Sequence, residues 1–327
     1  MTQAVGQADP TEPTVCVLMA THNGSAWVRE QIDSILGQAS VRVHLVVSDD
    51  ASTDGTAELI GELARNDSRV TLISQRERLG SATSNFLYLL KHAPLERYRL
   101  YALSDQDDVW HPDKLARHWS LLQKHGASAV SSDVTAFWPS GREALIRKSY
   151  PQKRWDHLFE PPGPGCTFLL TDEVVLRLNA VVEMLRSRDV EPMAFHDWMI
   201  YVVARAHGLR WLIDSTPSLR YRQHGRNEVG AHVGWRASWV RLRRLVRGDY
   251  RRQIRAAMLT AAMANPASPG CLSASDVLFN GRRRMRDAAV SALFMPLGVK
   301  LPAVQYEHRS PGQRDHACGR DPFRGEP

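Results

Sequence analysis

Apolar residues in the first half of the chain form short runs that alternate with segments of helical spacing. Between the runs, apolar positions at three- and four-residue steps, such as Val28, Ile32 and Ile35, predict helices. This alternation indicates an α/β fold with a mostly parallel sheet flanked by helices. The runs are rich in β-branched residues and predict strands at 15–20, 41–47, 70–74, 100–103 and 127–132.

The pattern loosens after residue 135. A Pro/Gly-rich stretch leads into a short apolar run and a helix at 161–174, and a further helix and strand are predicted at 195–208 and 209–213. From Trp235 the chain is arginine-rich, and its last part is polar and rich in Gly and Pro, which is typical of disorder. These changes predict a disordered N-terminus at 1–13, an α/β domain at 14–232, a basic amphipathic helical extension at 233–305 and a disordered tail at 306–327.

Polar clusters follow three of the predicted strands. They are "THNGS" after the first strand, "SDDASTDGT" after the second and "SDQDD" after the fourth. In a parallel α/β sheet, ligands bind beyond the carboxyl ends of the strands. The sequence therefore predicts one binding site formed by these three loops.

The "SDQDD" segment carries the most pronounced local charge. Asp105, Asp107 and Asp108 occupy three of four consecutive positions directly after a buried strand. Their mutual repulsion raises carboxyl pKa values unless a cation lies among them, and carboxylate oxygens suit a hard divalent ion. The alternative is a solvated acidic turn that caps the next helix.

The bulk composition, with 43% hydrophobic and 24% charged residues, is that of a globular protein. Four cysteines lie far apart, the N-terminus lacks the features of a secretory signal, and no apolar run is long enough to span a bilayer. We therefore expect a cytoplasmic protein that is at most peripheral on the inner face of the cell membrane.

Charge divides the chain into two parts. Residues 1–230 hold 25 Lys and Arg against 28 Asp and Glu, whereas residues 231–327 hold 17 against 7. Between Trp235 and Arg255 there are eight arginines and one acidic residue. Apolar and aromatic residues from Trp235 to Met258 recur at three- and four-residue steps and so share one helical face. This pattern predicts an anionic membrane surface as a partner, and the alternative is a helix packed on the domain. No reader motif accompanies the charge, so nucleic acid is not an expected partner.

No nucleotide-binding glycine motif of the P-loop or dinucleotide type follows the first strand. Instead, the chain resembles family 2 glycosyltransferases with the GT-A fold, and specifically their rhamnosyltransferase-like branch. The resemblance covers roughly residues 14–232, so it implies a GT-A domain over that range. It is carried by "ATHNG" (20–24), "SDDASTDGT" (48–56), "SDQDDVW" (104–110), "GCTFLL" (165–170), "HDW" (196–198) and "RQHGRN" (222–227).

The first two motifs imply the nucleotide-binding part of the site. Thr21, His22 and Asn23 fall in the first motif, where His22 replaces the usual tyrosine and offers a smaller ring to the base. The resemblance places an aspartate against the pyrimidine edge, and either Asp49 or Asp50 fits that role.

The acidic motif and the last motif imply the metal and the diphosphate site. Asp105 is expected at the ribose and as a metal ligand, and Asp107 as the main ligand of Mg²⁺ or Mn²⁺, with Asp108 as a second ligand or an orienting group. His224 is expected to approach the metal from the opposite side. The phosphate oxygens are assigned to Arg222 and Arg226.

The "HDW" motif implies the general base. Direct displacement at the anomeric carbon requires the acceptor hydroxyl to lose its proton, and a carboxylate within hydrogen-bond reach does this. Asp197 matches the position of that carboxylate, and His196 is expected to orient it. "GCTFLL" is expected to form the floor between donor and acceptor.

These expectations define an inverting, metal-dependent glycosyltransferase. Its favoured donor is dTDP-L-rhamnose, and its acceptor is a polysaccharide or a lipid-linked glycan. Two alternatives remain open: a transferase that uses a UDP-hexose, and a catalytically silent protein that binds nucleotide or membrane during assembly.

Overall fold

The computed structural model describes residues 12–92, 95–225, 249–268, 271–272, 276–284 and 299–300. Its strands are β1 (Thr14–Thr21), β2 (Arg42–Asp49), β3 (Val70–Ser74), β4 (Leu100–Ser104), β5 (Val109–Trp110), β6 (Ala129–Ser132), β7 (Val134–Phe137), β8 (Glu143–Ile146), β9 (Leu169–Thr171), β10 (Trp211–Asp214), β11 (Leu219–Arg222), β12 (Cys271–Leu272) and β13 (Val299–Lys300). Its α-helices are α1 (Val28–Leu36), α2 (Thr56–Asn66), α3 (Ala82–His92), α4 (Lys114–His125), α5 (Asp172–Arg186), α6 (His196–Ala206) and α7 (Asp249–Ala264).

Seven strands form the central sheet, in the order β10-β6-β9-β4-β1-β2-β3. In the middle of the sheet, Leu18 of β1 lies opposite Val46 of β2 and Leu103 of β4, and both pairings are parallel. Only β9 runs against its neighbours, because it pairs antiparallel with both β4 and β6. The predicted α/β fold with a mostly parallel sheet is confirmed.

Both faces of this sheet are covered by helices. Successive residues of β1 point to opposite faces, so that Cys16 and Leu18 pack with α3, α5 and α6, whereas Val17 and Met19 pack with α1 and α4. A strand that is buried on both faces needs apolar residues at every position. This explains why the strands appear in the sequence as continuous apolar runs rather than alternating ones.

A smaller sheet with strand order β5-β11-β7-β8 lies beyond the carboxyl end of β4. β11 pairs antiparallel with β5, with Leu219 opposite Trp110 and Arg220 opposite Val109. Because β5 directly follows the acidic loop, this pairing carries the end of β11 and the residues after it to that loop. It thereby brings His224 within reach of Asp107, 117 positions earlier in the chain.

The helix α7 packs on the domain. Ile254, Ala257, Met258 and Ala261 are buried and belong to the same core cluster as the apolar faces of α5 and α6. The predicted amphipathic stripe is therefore covered by protein where the structure describes it, which corrects the expectation of a lipid-facing surface for that part. The remainder of the stripe, from Trp235 to Val246, and the predicted tail at 306–327 lie outside the described residues.

The segment after α7 is anchored to the domain through Arg283. The main-chain N–H of Arg283 donates to the Glu160 carboxylate over 2.7 Å, and its guanidinium also bonds the carbonyl oxygen of Pro161. Its Nε lies 3.4 Å from Glu160 and 3.7 Å from Asp156, and its side chain is only 1% exposed. These contacts fix the loop that runs from Asp156 towards Gly165.

Candidate active site

A cavity of about 610 Å³ opens where the carboxyl ends of β1 and β4 meet the loops from α6 and β11. Three predicted nucleotide-binding residues, Thr21, His22 and Asn23, line it on one side. The other predicted site residues that line it are Asp50, Asp105, Asp107, Asp197 and His224. Gly165 of the fourth motif also lines it, so one cavity gathers residues from all six motifs.

The two candidate aspartates after β2 have different surroundings. Asp49 does not line the cavity; its carboxylate accepts hydrogen bonds from Thr21 over 3.0 Å and from the hydroxyl of Ser52 over 2.6 Å. Asp50 does line the cavity, and its carboxylate accepts the main-chain N–H groups of Leu79 and Gly80. Asp49 therefore shapes the turn, and Asp50 is the aspartate placed to meet a ligand.

Gln106 joins the first motif to the acidic loop. Its Oε1 accepts the main-chain N–H of His22 over 2.9 Å, and its Nε2 donates to the carbonyl of the same residue over 3.0 Å. The ring of His22 is fixed as well, because Nδ1 donates to the carbonyl of Asp50 over 2.8 Å and Nε2 accepts from Asn23 over 3.1 Å. Gly24 gives Gln106 its space, since a Cβ there would collide with the Gln106 amide.

Asp107 and His224 meet at the mouth of the acidic loop. Nε2 of His224 donates to Oδ2 of Asp107 over 2.6 Å, and Trp27 stacks on the His224 ring with centroids 4.0 Å apart. Burial raises the pKa of Asp107, and the hydrogen bond from His224 opposes that rise. A carboxylate that is buried and paired in this way is favoured in its charged form only while a positive partner is near.

Asp105 and Asp108 lie in a second group behind the loop. Their carboxylates and the Cys166 sulfur offer ligand atoms within 4.8 Å of one another. Burial, followed by the charges of Asp107 and Asp105, raises the pKa of Asp108 well above its ordinary value. Among the described residues, the buried Oδ2 of Asp108 has no hydrogen-bond partner.

These observations test the predicted cation site. Asp105 and Asp107 line the cavity and present carboxylate oxygens, the ligands that Mg²⁺ and Mn²⁺ prefer, and His224 approaches Asp107 from the other side. Burial raises the pKa of the Cys166 thiol well above its ordinary value, so it offers no thiolate. The residues that face the cavity fit a hard divalent ion, and Asp108 is turned inward behind them.

A buried lysine lies behind the acidic loop, and sequence reasoning missed it. Nζ of Lys114 donates to the carbonyl of Cys166 over 2.5 Å and lies 3.1 Å from the ring centroid of Trp110. Burial lowers the pKa of Lys114 well below its ordinary value, and the charges of Asp108 and Asp105 counteract this. Its position at the start of a helix gave no sign of burial.

The predicted phosphate-binding arginines differ from expectation in their placement. Arg222 does not line the cavity; its NH2 group pairs with Glu30 over 2.5 Å and its Nε donates to the carbonyl of Asp107 over 2.8 Å. It holds the acidic loop from outside, and a direct contact with phosphate stays a prediction. Arg226 lies outside the described residues.

Arg78 is a cavity residue that sequence reasoning missed. It is exposed and lies in the loop after β3, directly before the two residues whose N–H groups bind Asp50. Among the described residues it is the only lysine or arginine that lines the cavity. Arg78 belongs to none of the six motifs. Its position after the carboxyl end of β3, at the edge of the sheet where ligands bind, could have identified it as a candidate.

Asp197 lines the cavity from the first turn of α6. Burial raises its pKa to about 6, and the main-chain N–H of Trp198, which donates to Oδ1 over 2.7 Å, works against this rise. Gly165 packs directly on this turn, because a Cβ there would lie 3.4 Å from the Cβ of Asp197. The carboxylate is therefore held in place at the cavity surface, with its pKa raised towards neutral pH.

His196 is not a proton carrier in this arrangement. Its ring stacks on Phe86 with centroids 4.1 Å apart, and burial lowers its pKa to about 3. Its main-chain N–H donates to the hydroxyl of Thr83 over 3.0 Å. These contacts orient the start of α6, where Asp197 lines the cavity.

Comparisons with known proteins identify the class of protein. The model of Glycosyl transferase family 2 matches residues 16–169. The dTDP-rhamnosyl transferase RfbG of Shigella flexneri is 35% identical over 237 residues, which cover 72% of this chain and 82% of that protein. The chain belongs to glycosyl transferase family 2, and the prediction of a glycosyltransferase is confirmed.

Further comparisons give a second relative and a solved structure of similar fold. The UDP-Glc:alpha-D-GlcNAc-diphosphoundecaprenol beta-1,3-glucosyltransferase WfgD of Escherichia coli is 27% identical over 50% of this chain and 61% of that protein. The crystal structure of S. aureus TarS 1-349 in complex with UDP-GlcNAc matches with a TM-score of 0.53 and 16% identity, over 75% of this chain and 66% of that one. The second likeness confirms the GT-A fold. Among the described residues, no helix is both long and apolar enough to cross a membrane.

Proposed function

We propose that this protein is an inverting glycosyltransferase that moves L-rhamnose from dTDP-rhamnose to a glycan acceptor. The observation that carries the proposal is that Asp197 shares one cavity with Asp105 and Asp107. A base and a pair of carboxylates for a cation are the two elements that direct displacement from a nucleotide diphosphate requires. The rhamnosyl donor rests on the likeness to RfbG.

The nucleotide binds, in this proposal, between the first motif and the loop after β3. The ring of His22 lies against the base, and Asp50 accepts the N–H of the pyrimidine. Both carboxylate oxygens of Asp50 already accept one main-chain N–H each, and each keeps a second lone pair for this contact. Arg78 supplies the positive charge that the phosphates need on this side.

Asp105, Asp107 and His224 hold Mg²⁺ or Mn²⁺ in this proposal, with Asp105 also at the ribose. When bound, the ion acts as a Lewis acid that stabilises the negative charge of the leaving diphosphate. Trp27 and Arg222 keep the ligands in position, because Trp27 stacks on His224 and Arg222 bonds the carbonyl of Asp107.

Asp197 removes the proton of the acceptor hydroxyl. Its pKa of about 6 leaves it ionised at neutral pH and basic enough to accept a proton in the transition state. The absence of a side chain at Gly165 lets the sugar approach the carboxylate closely. The acceptor is a polysaccharide or a lipid-linked glycan, and the reaction takes place in the cytoplasm or at the inner face of the membrane.

A UDP-hexose donor is the second candidate. It is favoured by the relative WfgD, whose name gives UDP-Glc as its donor. The two candidates differ in the base and the sugar, whereas Asp107, Asp197 and the cation have the same roles in both. A third candidate is a catalytically silent assembly protein. Such a protein needs neither Asp107 nor Asp197, so the presence of both in the cavity counts against it.

The test is calorimetric binding of dTDP, UDP and GDP, with and without Mn²⁺, to the wild-type chain and to Asp107→Asn. We expect a preference for dTDP in the presence of Mn²⁺ that Asp107→Asn removes. Preference for UDP would replace the rhamnosyl donor by a hexosyl one. Failure of all three nucleotides to bind would overturn the transferase proposal in favour of the silent protein. If Asp107→Asn weakens nucleotide binding equally with and without Mn²⁺, Asp107 is not a metal ligand.

A further inference from the structure

Phe195 presents an aromatic ring to the cavity, two residues before Asp197. It is 37% exposed, which is unusual for a large apolar side chain that lines a cavity. Apolar and aromatic side chains in a cavity are the surfaces against which small ligands pack. The nucleotide and the cation, as placed in the proposed function, leave this ring unused.

The hydroxyl of Thr83, in the first turn of α3, fixes the main chain on both sides of Phe195. It donates to the carbonyl of Ala194 over 2.8 Å and accepts the main-chain N–H of His196 over 3.0 Å. The carbonyl of Phe195 itself accepts the main-chain N–H of Met199 over 3.0 Å. The position of Phe195 is therefore set by α3 and α6 together.

The backbone conformation of Phe195 directs its side chain into the cavity. The residue is extended, with φ −121° and ψ 110°, and neighbouring side chains of an extended backbone point to opposite sides. The His196 ring is turned towards the core, where it stacks on the fully buried Phe86. The ring of Phe195 consequently points away from the core.

The cavity lining around this ring offers few polar partners. Pro164 and Gly165 line it without a polar side-chain group, and the Thr83 hydroxyl has already donated its proton. Nε2 of His196 is buried, and a Cβ on Gly165 would come within 2.7 Å of it. Among the described residues of these segments, Asp197 is the only charged side chain that lines the cavity.

The transferred sugar passes this ring in the proposed function. The donor diphosphate is assigned to Asp105, Asp107 and Arg78, and the acceptor hydroxyl is assigned to Asp197. The sugar has to connect these two points. Phe195 lies beside its path, because the main chain around Phe195 is bonded to α3, the helix that follows the loop of Arg78.

We propose that Phe195 selects a 6-deoxy sugar as the group to be transferred, by packing against its C6 methyl group. The inference rests on the proposed function, because it takes the donor sugar to lie between the cation and Asp197. A methyl group gains free energy when it leaves water for an aromatic ring. The 6-hydroxyl of a hexose would give up its water for an apolar lining, which is unfavourable. Thr83 acts as the positioning residue of the ring.

The experiment is calorimetric binding of two donors to the full chain, with Mn²⁺ and without acceptor. They are dTDP-L-rhamnose and dTDP-L-mannose, which differ only in the hydroxyl at C6. We expect the wild type to bind the rhamnosyl donor about 10- to 100-fold more tightly, the range in which an apolar pocket discriminates such pairs. Phe195→Ala should bring this ratio close to one, while the affinity for dTDP alone stays close to that of the wild type.

Further variants separate the ring from its support. Phe195→Gln replaces the ring by an amide that can bond a hydroxyl, so it should shift the preference towards the mannosyl donor. Thr83→Val keeps the shape and loses both hydrogen bonds, so it should lower the ratio, whereas Thr83→Ser keeps the hydroxyl and the ratio. Leu176→Ala, at a 64% exposed position of α5 outside the cavity lining, is the matched control.

Four outcomes would overturn the inference. They are equal binding of both donors by the wild type, a wild-type ratio in Phe195→Ala, an equal fall of the ratio in Leu176→Ala, and a parallel loss of dTDP affinity in Phe195→Ala, which would assign the ring to the nucleotide. Thermal midpoints identify a variant that is misfolded, and Phe195→Gln then carries the test.

The same titrations separate this inference from the proposed function. A wild-type chain that binds dTDP but does not distinguish the two donors overturns the selection by Phe195 and keeps the proposed function. Failure of the wild type to bind dTDP overturns the proposed function itself.

Discussion

Gln106 holds both main-chain polar groups of His22 with the two ends of one side-chain amide. The two residues are 84 positions apart, and the contact holds the loop after β1 to the acidic loop after β4. A ligand that touches both loops therefore meets them in one fixed relationship. If the proposed function holds, this preorganisation lowers the free-energy cost of binding a nucleotide and a cation together.

Replacing Gln106 by alanine should weaken both stability and nucleotide binding. Each of the two hydrogen bonds contributes about 0.5–1.5 kcal/mol, so we expect the free energy of unfolding to fall by about 1–3 kcal/mol. The dissociation constant for dTDP should rise as well, because the two loops are no longer fixed. Urea unfolding and calorimetry check these effects, and Gln123→Ala, at an exposed position of α4, is the control.

Gly24→Ala should act on the same pair of hydrogen bonds. The added methyl group collides with the Gln106 amide, which must move away and lose its contacts with His22. In a double-mutant cycle, the loss in free energy of unfolding for Gly24→Ala/Gln106→Ala should be clearly smaller than the sum of the losses for the two single variants. Additive losses in free energy of unfolding would show that Gly24→Ala does not act through the Gln106 hydrogen bonds.

Asp197→Asn should abolish transfer while dTDP binding stays close to that of the wild type. The loss of a general base lowers kcat by about 10²- to 10⁴-fold. In the wild type, kcat should rise with pH through about 6, because only the ionised carboxylate accepts the proton. Single-turnover transfer measured from pH 5 to 8 checks this, and normal turnover of Asp197→Asn would remove the residue from the base role.

The raised pKa of Asp197 also predicts the direction of a stability change. Between the unfolded value near 4 and the folded value of about 6, the native state holds the proton more tightly than the unfolded state. Its contribution to the free energy of unfolding therefore falls as the pH rises through this interval. Asp197→Asn should remove this part of the pH dependence, and denaturant titrations at pH 4 and 7 measure it.

Arg78→Gln should weaken dTDP binding by about tenfold or more, the effect of losing a charge-assisted hydrogen bond to a phosphate. Arg78→Lys should keep part of the affinity, since the charge remains. The neighbouring Arg76 is exposed and does not line the cavity, so Arg76→Gln is the matched control. If Arg78→Gln and Arg76→Gln weaken dTDP binding equally, the net positive charge of the loop matters rather than a direct contact of Arg78 with phosphate.

Arg283→Met should destabilise the protein strongly. It leaves Glu160 and Asp156 with less compensation in a buried setting, and breaking a buried charge pair costs about 3–5 kcal/mol. Arg255→Gln, at an exposed position of α7, should change the free energy of unfolding by less than about 0.5 kcal/mol. Comparable unfolding curves for both variants would contradict the anchoring role of Arg283.

The sheet was predictable because its signals are local. The run at 70–74 coincides with β3, and the stripe of Val28, Ile32 and Ile35 is the buried face of α1. The strand β9 was not predictable as an antiparallel insertion, because three residues between a turn and a helix carry no sign of their partners. Its place between β4 and β6 is decided by the whole fold.

The site was predictable in its motifs and less so in its contacts. The sequence left Asp49 and Asp50 equivalent, and their difference depends on Thr21 and Ser52, which claim only the first of them. The last motif assigns Arg222 to phosphate, and nothing in that motif reveals its partner Glu30, which lies 192 positions away. The amphipathic pattern of α7 likewise shows that one face of the helix is covered, but it does not show whether protein or lipid covers it.

The contact between Arg283 and Glu160 spans 123 positions, and it has a consequence for biosynthesis. At about 5–20 residues per second, a ribosome needs roughly 6–25 s to proceed from one residue to the other. From the addition of Asp197 to that of Arg283, the nascent chain contains all the candidate site carboxylates, but the loop beside Gly165 lacks the arginine that anchors it. The order of synthesis thus makes the fixing of this loop one of the last events in the maturation of the enzyme.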